Sequence, residues 1–249
     1  MLKYINIIIL LFSFAFAETG LEIAQKIDSK QKPKDMKANL TMVLTNKKGK
    51  TRALTLRSIA KDDSKKQIIW FLAPADDKGV AFLKIEHDGN DDEMRLWLPA
   101  FNKVRRISSK QKADSFMGSD MSYEDMTSRE LEEYTYTLKG SEKIEDIDCY
   151  LLESVPDPAL NSEYSKHISW VSKTDYLVIK EESYDRSDRI LKIKLIKYMK
   201  LKGYDVPQDM YVGNVQKHHN TRLTFNNIEI DTGVNDSLFQ EKNLKRLPR

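Results

Sequence analysis

The sequence predicts a mainly β protein built as an antiparallel meander. Apolar and polar residues alternate with a period of two in stretches such as KANLTMVL (37–44), YTYTL (134–138) and LKIKLIKYM (191–199), which is typical of strands with two unlike faces. Turn-forming stretches such as NKKGK (46–50) and YDRSD (184–188) separate these runs. Parallel strands would need crossover connections of about a dozen residues or more. We therefore expect one β-rich domain whose strands pair antiparallel.

The first seventeen residues, MLKYINIIILLFSFAFA, predict a secretory signal peptide (1–17). Lys3 precedes an apolar run, and the tripeptide AFA supplies the small-x-small pattern after which signal peptidase cuts. The run is shorter than the about 20 apolar residues that span a bilayer, so a removed signal is favoured over a membrane anchor. No cysteine stands directly after the cleavage pattern, where Glu18 follows, so we expect 18–249 to be a soluble, unlipidated domain outside the cytoplasm.

Charge and cysteine content exclude several classes of protein. The chain has 41 basic and 38 acidic residues, with both signs interspersed, whereas a nucleic-acid-binding protein would carry a basic stripe. We therefore expect no nucleic-acid partner, and we expect a monomer. Cys149 is the single cysteine, so an internal disulfide is excluded and stability must come from packing. A buried structural thiol is favoured over a catalytic one in this strand context.

The first predicted element is a short amphipathic helix over residues 20–29. Leu21, Ala24 and Ile27 lie at helical spacing, and Pro33 follows at a distance that favours the end of a helix.

Two of the strands that follow are apolar on both faces. QIIWFLAP (67–74) carries five consecutive apolar residues, and RLWLP (95–99) carries three. Such a run requires a cover on each side of the sheet. Two arrangements satisfy this requirement. One is a sandwich of two sheets, and the other is a strongly curved sheet whose inner face lines a hydrophobic cavity closed by a helix or a loop.

Motifs of catalysis or metal binding are weak. His87, His167, His218 and His219 stand in no pattern such as HExxH, and no glycine-flanked serine nucleophile occurs. The adjacent pair His218 and His219 would point to opposite faces of a strand, so a turn or strand-end pair is favoured over a metal site. We expect neither an enzyme nor a bound cofactor or metal.

The acidic stretch DGNDDE resembles a calcium loop only in part. Asp88, Asn90 and Asp92 stand at alternate positions. Glu93 occupies the sixth position, where such a loop needs glycine, and Pro99 occupies the twelfth, where it needs a bidentate glutamate. We predict a solvated hairpin turn.

The stretch KVRRI (103–107) offers two interpretations. In a strand, Arg105 and Arg106 must face opposite sides of the sheet. Both can be surface residues whose aliphatic stems cover apolar neighbours. Alternatively, one of them points inward, where its guanidinium binds backbone carbonyls of a covering loop or a polar head group.

The stretch SFMGSDMSYEDM (115–126) is unusually apolar for a loop. Its apolar residues are Phe116, Met117, Met121, Tyr123 and Met126. They either fill the core beneath a long connection, or form a lid, since methionine is flexible enough to repack around a ligand. Gly118 permits a sharp bend, and Ser122 can cap one helical turn. The two interpretations are compatible.

Four segments together resemble a known family. They are WFLAPADDKGVAFL (70–83), LWLPAFNKVRRI (96–107), SFMGSDMSYED (115–125) and WVSKTDYLVIKEESYD (170–185). The succession resembles the outer-membrane lipoprotein-sorting family of LolA-like periplasmic proteins, in the longer branch found beside exporters of the RND (MMPL-like) type. The resemblance implies an unclosed antiparallel β-barrel, or half-barrel, with short helices and a loop covering its concave face.

The resemblance also implies a function. Members of this family bind acyl chains on the concave face and carry lipidated cargo across the periplasm. We therefore expect a non-enzymatic periplasmic carrier of lipoprotein acyl chains or lipids. The alternative is an accessory subunit that docks on an RND-type membrane exporter and carries nothing. The candidate residues for the cavity wall, some of which must face outward because strands alternate, are Trp70, Phe71, Leu72, Phe82, Trp97 and Trp170.

Overall fold

The computed structural model describes residues 18–87 and 92–248. The predicted signal peptide (1–17) and most of the acidic DGNDDE turn (88–91) lie outside the described residues. The helices are α1 (Gly20–Asp28) and α2 (Glu241–Leu244). The strands are β1 (Asp35–Thr45), β2 (Thr51–Lys61), β3 (Lys66–Ala73), β4 (Ala81–Ile85), β5 (Glu93–Leu98), β6 (Lys103–Ile107), β7 (Tyr134–Ile144), β8 (Ile147–Pro156), β9 (Tyr164–Ser172), β10 (Val178–Asp185), β11 (Ile190–Leu201), β12 (Tyr204–Asn214) and β13 (His219–Ile230).

All of these strands belong to one antiparallel sheet, in the order β6-β5-β4-β3-β2-β1-β13-β12-β11-β10-β9-β8-β7. Strands that follow one another in the chain are therefore neighbours in the sheet, except β6 and β7. The central pair joins β1 to β13, with Met42 opposite Leu223. Strands β6 and β7 form the two edges, and the chain between them, residues 108–133, is called the connector below. We call the face that carries Met42 and Leu223 the inner face.

The sheet curves strongly around its inner face. Strands β4 and β11 lie six strand spacings apart, which would be about 29 Å in a flat sheet. Yet Lys84 on β4 donates a hydrogen bond to the carbonyl of Met126 at 2.6 Å, and Lys192 on β11 bonds the neighbouring Asp125 at 2.7 Å. Two lysine side chains cannot bridge a flat sheet in this way. The predicted half-barrel is confirmed, and the sandwich of two sheets is excluded.

The first half of the inner face is apolar, as the alternation in KANLTMVL predicts. Ala38, Leu40 and Met42 project from β1 and are at most 6% exposed. Leu56 on β2 and Leu223 on β13 lie directly opposite residues of this row. Burial of each leucine or methionine side chain in this group stabilises the fold by about 1.5–3 kcal/mol.

The outer face of β3–β5 has a cover of its own. Trp70 and Trp97 are buried there, together with Leu244 of α2. The indole N–H of Trp70 donates to the carbonyl of Asn243 at 3.3 Å. The connector covers the inner face of the same strands. Strands β3–β5 are therefore apolar on both faces because each face has its own cover.

Helix α1 covers the inner face at the other end of the sheet. Its Ile23 and Ala24 pack against Leu152 of β8 and Val171 of β9. Thr19 and Glu22 form a reciprocal capping box at its start, which satisfies backbone donors that the first turn leaves free. A side chain at Gly20 would come within 2.8 Å of backbone atoms of β7, so this close approach requires glycine. Within the described chain, neither α1 nor α2 has the length and apolar character needed to cross a membrane.

Candidate functional site

A cavity of about 270 Å³ lies between the inner face and the connector. One side of it is apolar and is formed by β1, β2, β3, β12 and β13. Leu40, Met42, Ile69, Leu223 and Phe225 are among its lining residues. The connector adds Phe116, Met121 and Met126. An apolar chain can therefore be enclosed here between the sheet and the connector.

The other end of the cavity is polar, because the alternation in β11 is oriented opposite to what an apolar core would favour. Lys192 and Lys194 face the cavity, whereas Leu195 on the other face of the strand is 42% exposed. Lys84 of β4 and Asp125 of the connector complete this end.

Asp125 attaches the connector to the second half of the sheet. Its carboxylate accepts hydrogen bonds from Lys192 (2.7 Å), from the Tyr164 hydroxyl (2.7 Å) and from the backbone N–H of Ser122 (2.8 Å). Burial alone would raise the pKa of Asp125, but the positive charges of Lys192 and Lys194 lower it to about 2. The group is therefore ionised at neutral pH.

A second buried group of charges lies beside this one. Glu181 on β10 accepts two hydrogen bonds from Arg129, at 2.6 and 3.0 Å, and one from Lys194 at 2.8 Å. Burial opposes ionisation of Glu181, yet Arg129 and Lys194 hold its pKa well below the ordinary value. Burial and the charge of Arg129 lower the pKa of His167 to about 3, so this imidazole is neutral at physiological pH.

Lys84 is the most deeply buried lysine of the cavity, with 2% of its side chain exposed. It pairs with Glu86 and donates to the carbonyl of Met126. Burial lowers its pKa from the ordinary value, although Glu86 opposes this effect. This lysine fixes the end of the connector stretch 115–126 to the first half of the sheet.

Aromatic packing holds the middle of that stretch. The ring of Phe116 lies 5.1 Å from Phe82 in an edge-to-face arrangement and 6.2 Å from Phe71. Tyr123 lies 5.9 Å from both Phe82 and Phe116. The sharp bend expected at Gly118 occurs there, with φ of +78°, a value that favours glycine.

The tip of the stretch bonds to β13. Asp120 donates its backbone N–H to the Thr221 hydroxyl at 2.9 Å and accepts from that hydroxyl at 2.7 Å. His219 Nδ1 lies 2.7 Å from the same carboxylate. His218 lies in the preceding turn, with φ of +51°, and His219 begins β13. The stretch is thus attached to β4, β11 and β13.

The residues predicted for the cavity wall divide between the two faces. Phe71 and Phe82 belong to the inner cluster and lie beneath Phe116. Those on the outer face of β3 and β5 are Trp70, Leu72 and Trp97. Trp170 faces outward from β9, with the Lys180 ammonium 3.8 Å from its ring centre. Because side chains alternate along a strand, residues that are neighbours in the chain lie on opposite faces of the sheet. None of the six predicted wall residues lines the cavity described above.

The predicted covering residues and the arginines occupy different positions. Phe116, Met121 and Met126 line the cavity, Tyr123 is 5% exposed, and Met117 is half-buried beside the same cluster. Arg105 lies opposite Leu96 of the inner cluster, so it belongs to the inner face, and Arg106 lies opposite Arg95 on the outer face. Both arginines are exposed.

Sequence reasoning missed the charged residues of the site, which are Lys84, Asp125, Arg129, Glu181, Lys192 and Lys194. One signal was present. Lys84 stands two residues after Phe82 in the apolar strand AFLKI, so it must share the inner face with that ring. Within the described residues, no group of three or more histidine, cysteine, aspartate or glutamate side chains is arranged to hold a metal ion.

Comparison with known proteins identifies the family of the chain. A protein-family model whose description reads "Uncharacterized protein" matches residues 63–246. A crystal structure assigned as an outer membrane lipoprotein-sorting protein domain, from Vibrio parahaemolyticus, shares 33% identity and a TM-score of 0.85 over 91% of this chain and 98% of its own. The chain belongs to the outer-membrane lipoprotein-sorting family.

Two further structures extend the LolA-like comparison. A DUF1329 family protein from Desulfovibrio piger is 31% identical, with a TM-score of 0.85 over 90% of this chain and 97% of its own. A LolA superfamily protein from Nitrosomonas europaea is 19% identical, with a TM-score of 0.72 over 91% of this chain and 99% of its own, which shows the shared fold. No curated protein sequence matches this LolA-like chain.

Proposed function

We propose that this LolA-like protein is a periplasmic carrier that binds lipid-like or lipidated cargo in the cavity and passes it toward the outer membrane. The observation that carries the proposal is the enclosed apolar wall opposite the connector stretch 115–126. Burial of an acyl chain contributes about 0.8 kcal/mol for each CH₂ group removed from water. The predicted signal peptide supports the periplasmic location.

The charged end of the cavity favours binding over catalysis. A general acid or base works best when its pKa lies near the working pH. The pKa of Asp125 lies at about 2, that of His167 at about 3, and that of Glu181 well below its ordinary value. Each of these groups is bonded to a cationic side chain, Asp125 to Lys192 and both Glu181 and His167 to Arg129. We therefore propose a non-enzymatic role, in which they fix the shape of the site.

Binding of a fluorescent apolar dye to delipidated protein, followed by displacement with a fatty acid or lipopeptide, tests the proposal. We expect a saturating fatty acid or lipopeptide to displace the dye from the wild-type protein. Met210→Trp, which places a larger side chain in the cavity, should weaken the binding of fatty acid or lipopeptide about tenfold or more. Leu195→Trp on the exposed face of β11 is the matched control and should bind as the wild type does.

The alternative role, an accessory subunit of an RND-type exporter, makes the opposite prediction. Saturating lipid would then leave the dye signal unchanged, and mass spectrometry would find no lipid that co-purifies with the native protein. That pair of results would overturn the carrier proposal. Delivery from an RND-type exporter is a further proposal that rests on the family resemblance alone, and crosslinking in the periplasm tests it.

A further inference from the structure

Three ammonium groups converge on the polar end of the cavity. Lys192 and Lys194 project from the inner face of β11, and Lys84 projects from β4. Lys84 and Lys192 bond adjacent connector residues, Met126 and Asp125. Elsewhere the cavity is lined by apolar residues and by the uncharged polar side chains of Ser58, Ser64, Gln67 and Ser183, so this concentration of positive charge is local.

Three of the four carboxylates that pair with these lysines do not line the cavity. Glu86 pairs with Lys84, Glu163 with Lys192 and Glu181 with Lys194. None of these three glutamates is among the described residues that line the cavity, and Asp125 is the one carboxylate there. A bound molecule therefore meets three positive side chains and a single negative one.

Hydrogen-bond donors identify which lysine can bind a ligand. An ammonium group has three donors. Lys192 uses all of them, on Asp125, Glu163 and the Tyr164 hydroxyl, at 2.7, 3.2 and 2.5 Å. Lys194 makes one hydrogen bond with the described residues, to Glu181 at 2.8 Å. Two of its donors are therefore free at a wall that also contacts apolar space.

We propose that the cavity takes an anionic single-chain amphiphile whose carboxylate or phosphate binds Lys194 and whose chain lies along Leu40, Met42 and Phe225. This inference rests on the proposed carrier function and narrows its cargo. A charge-assisted hydrogen bond between ammonium and carboxylate or phosphate is roughly twice as strong as a neutral one. A neutral ester would gain less, and a trimethylammonium head offers no acceptor to the free donors of Lys194.

The test compares twelve-carbon probes that differ only in the head group. They are dodecanoate, methyl dodecanoate, dodecyl phosphate and dodecyltrimethylammonium, titrated against dye-loaded protein below their micelle concentrations. In the wild type we expect dodecanoate or dodecyl phosphate to bind about tenfold more tightly than the ester, and the cation to bind more weakly than the ester. The better of the two anions identifies whether the cargo is a fatty acid or a phosphate lipid.

Lys194→Met should abolish the preference of anion over ester. Glu181 keeps its two bonds to Arg129 in this variant, so the fold is retained. Lys197→Met, an exposed position on the same strand, is the control and should keep the preference. Equal affinity of acid and ester in the wild type would overturn the anion inference and leave the carrier function standing. Failure of every probe to bind would overturn both.

Discussion

At the scale of single residues, the Asp125 carboxylate has the greatest influence on the site. It joins the connector to β11 through Lys192 and to β9 through Tyr164, and it also accepts a backbone hydrogen bond from Ser122 within its own turn. A carboxylate with these partners has to be ionised to satisfy them. The attachment of the connector to β9 and β11 therefore depends on one proton.

Asp125→Asn should lower the free energy of unfolding at pH 7 by about 2 kcal/mol, because the pKa of Asp125 falls from its ordinary value of 3.8 to about 2 on folding. A lowered pKa contributes stability above the ordinary value, and this contribution is lost as the pH falls toward 2. The difference between variant and wild type in urea unfolding should therefore shrink between pH 4 and pH 2. Asp76→Asn in an exposed turn is the control. A difference that stays constant down to pH 2 would contradict the assignment.

The identity of the charged inner residues shows where sequence analysis reached its limit. Alternation in LKIKLIKYM identified β11 as a strand, but both faces of an alternating strand are equally compatible with that pattern. Whether Lys192 and Lys194 face inward depends on ion-pair partners that lie more than ten residues away in the chain, such as Glu181 and Asp125. No local signal in the sequence carries this information.

At the scale of elements, the connector is both part of the core and the cover of the cavity. The ring of Phe116 is 2% exposed and packs against two rings of the sheet, Phe71 and Phe82. Met126 at the end of the same stretch is half-buried and lines the cavity. The stretch 115–126 is therefore firmly packed between Phe116 and Tyr123, and the half-buried side chain of Met126 is the part of it that is left beside the cavity.

Phe116→Ala should cost about 3–5 kcal/mol of stability, as truncation of a buried aromatic does. Phe101→Ala, at a position that is 75% exposed in the turn before β6, should change stability by no more than about 0.5 kcal/mol. Denaturant midpoints measured for both variants decide the matter. If Phe116→Ala costs less than about 1 kcal/mol, the whole stretch is a weakly held lid and not part of the core.

Helix α2 covers the two outer tryptophans, which gives a spectroscopic test. Leu244 is 1% exposed, and its neighbours in the outer cluster include Trp70 and Trp97. Leu244→Ala should cost about 2–5 kcal/mol and shift tryptophan emission to longer wavelength, because water reaches the indoles. Leu247→Ala, at a position that is 43% exposed, should do neither. Unchanged emission from the folded Leu244→Ala variant would show that the cover is intact.

The elements themselves were largely predictable, and their covers were not. The helix expected over 20–29 is α1, and the turns at NKKGK and YDRSD lie between paired strands. The apolar run in QIIWFLAP indicated a cover on each side, but the outer cover comes from residues 234–244. A period-two pattern records which residues are buried and not which distant segment buries them.

At the scale of the whole molecule, the sheet is two meanders joined along one central pair. Strands β1–β6 form the first meander, β7–β13 form the second, and β1 pairs with β13 over most of its length. The connector is the chain between the two, and its stretch 115–126 also packs on both. The two meanders are therefore held together by backbone hydrogen bonds and by side chains, and they do not depend on an unbroken connector.

Cleavage of the chain after Lys110, at an engineered protease site, should leave two pieces that remain associated. Residues 108–110 are exposed and precede the packed stretch, so the cut removes no core contact. We expect one peak in size-exclusion chromatography under native conditions and two in urea. A matched site after Lys84, inside a strand that is buried, should not be cut in the folded protein. Separation of the pieces without denaturant would contradict the two-meander description.

The pairing of β1 with β13 also sets the order in which the sheet can form as the chain is made. Met36 and Ile230 lie opposite each other although they are roughly 190 positions apart, whereas every other ladder joins strands that are consecutive in the chain. Closing so long a loop has the largest entropic cost of any pairing in the sheet. Until β13 has emerged, β1 is an unpaired edge with an apolar face, the kind of edge that invites aggregation. The cavity has residues of both strands in its wall, so it forms only after β13 has been made, and a chain that stops before β13 lacks it.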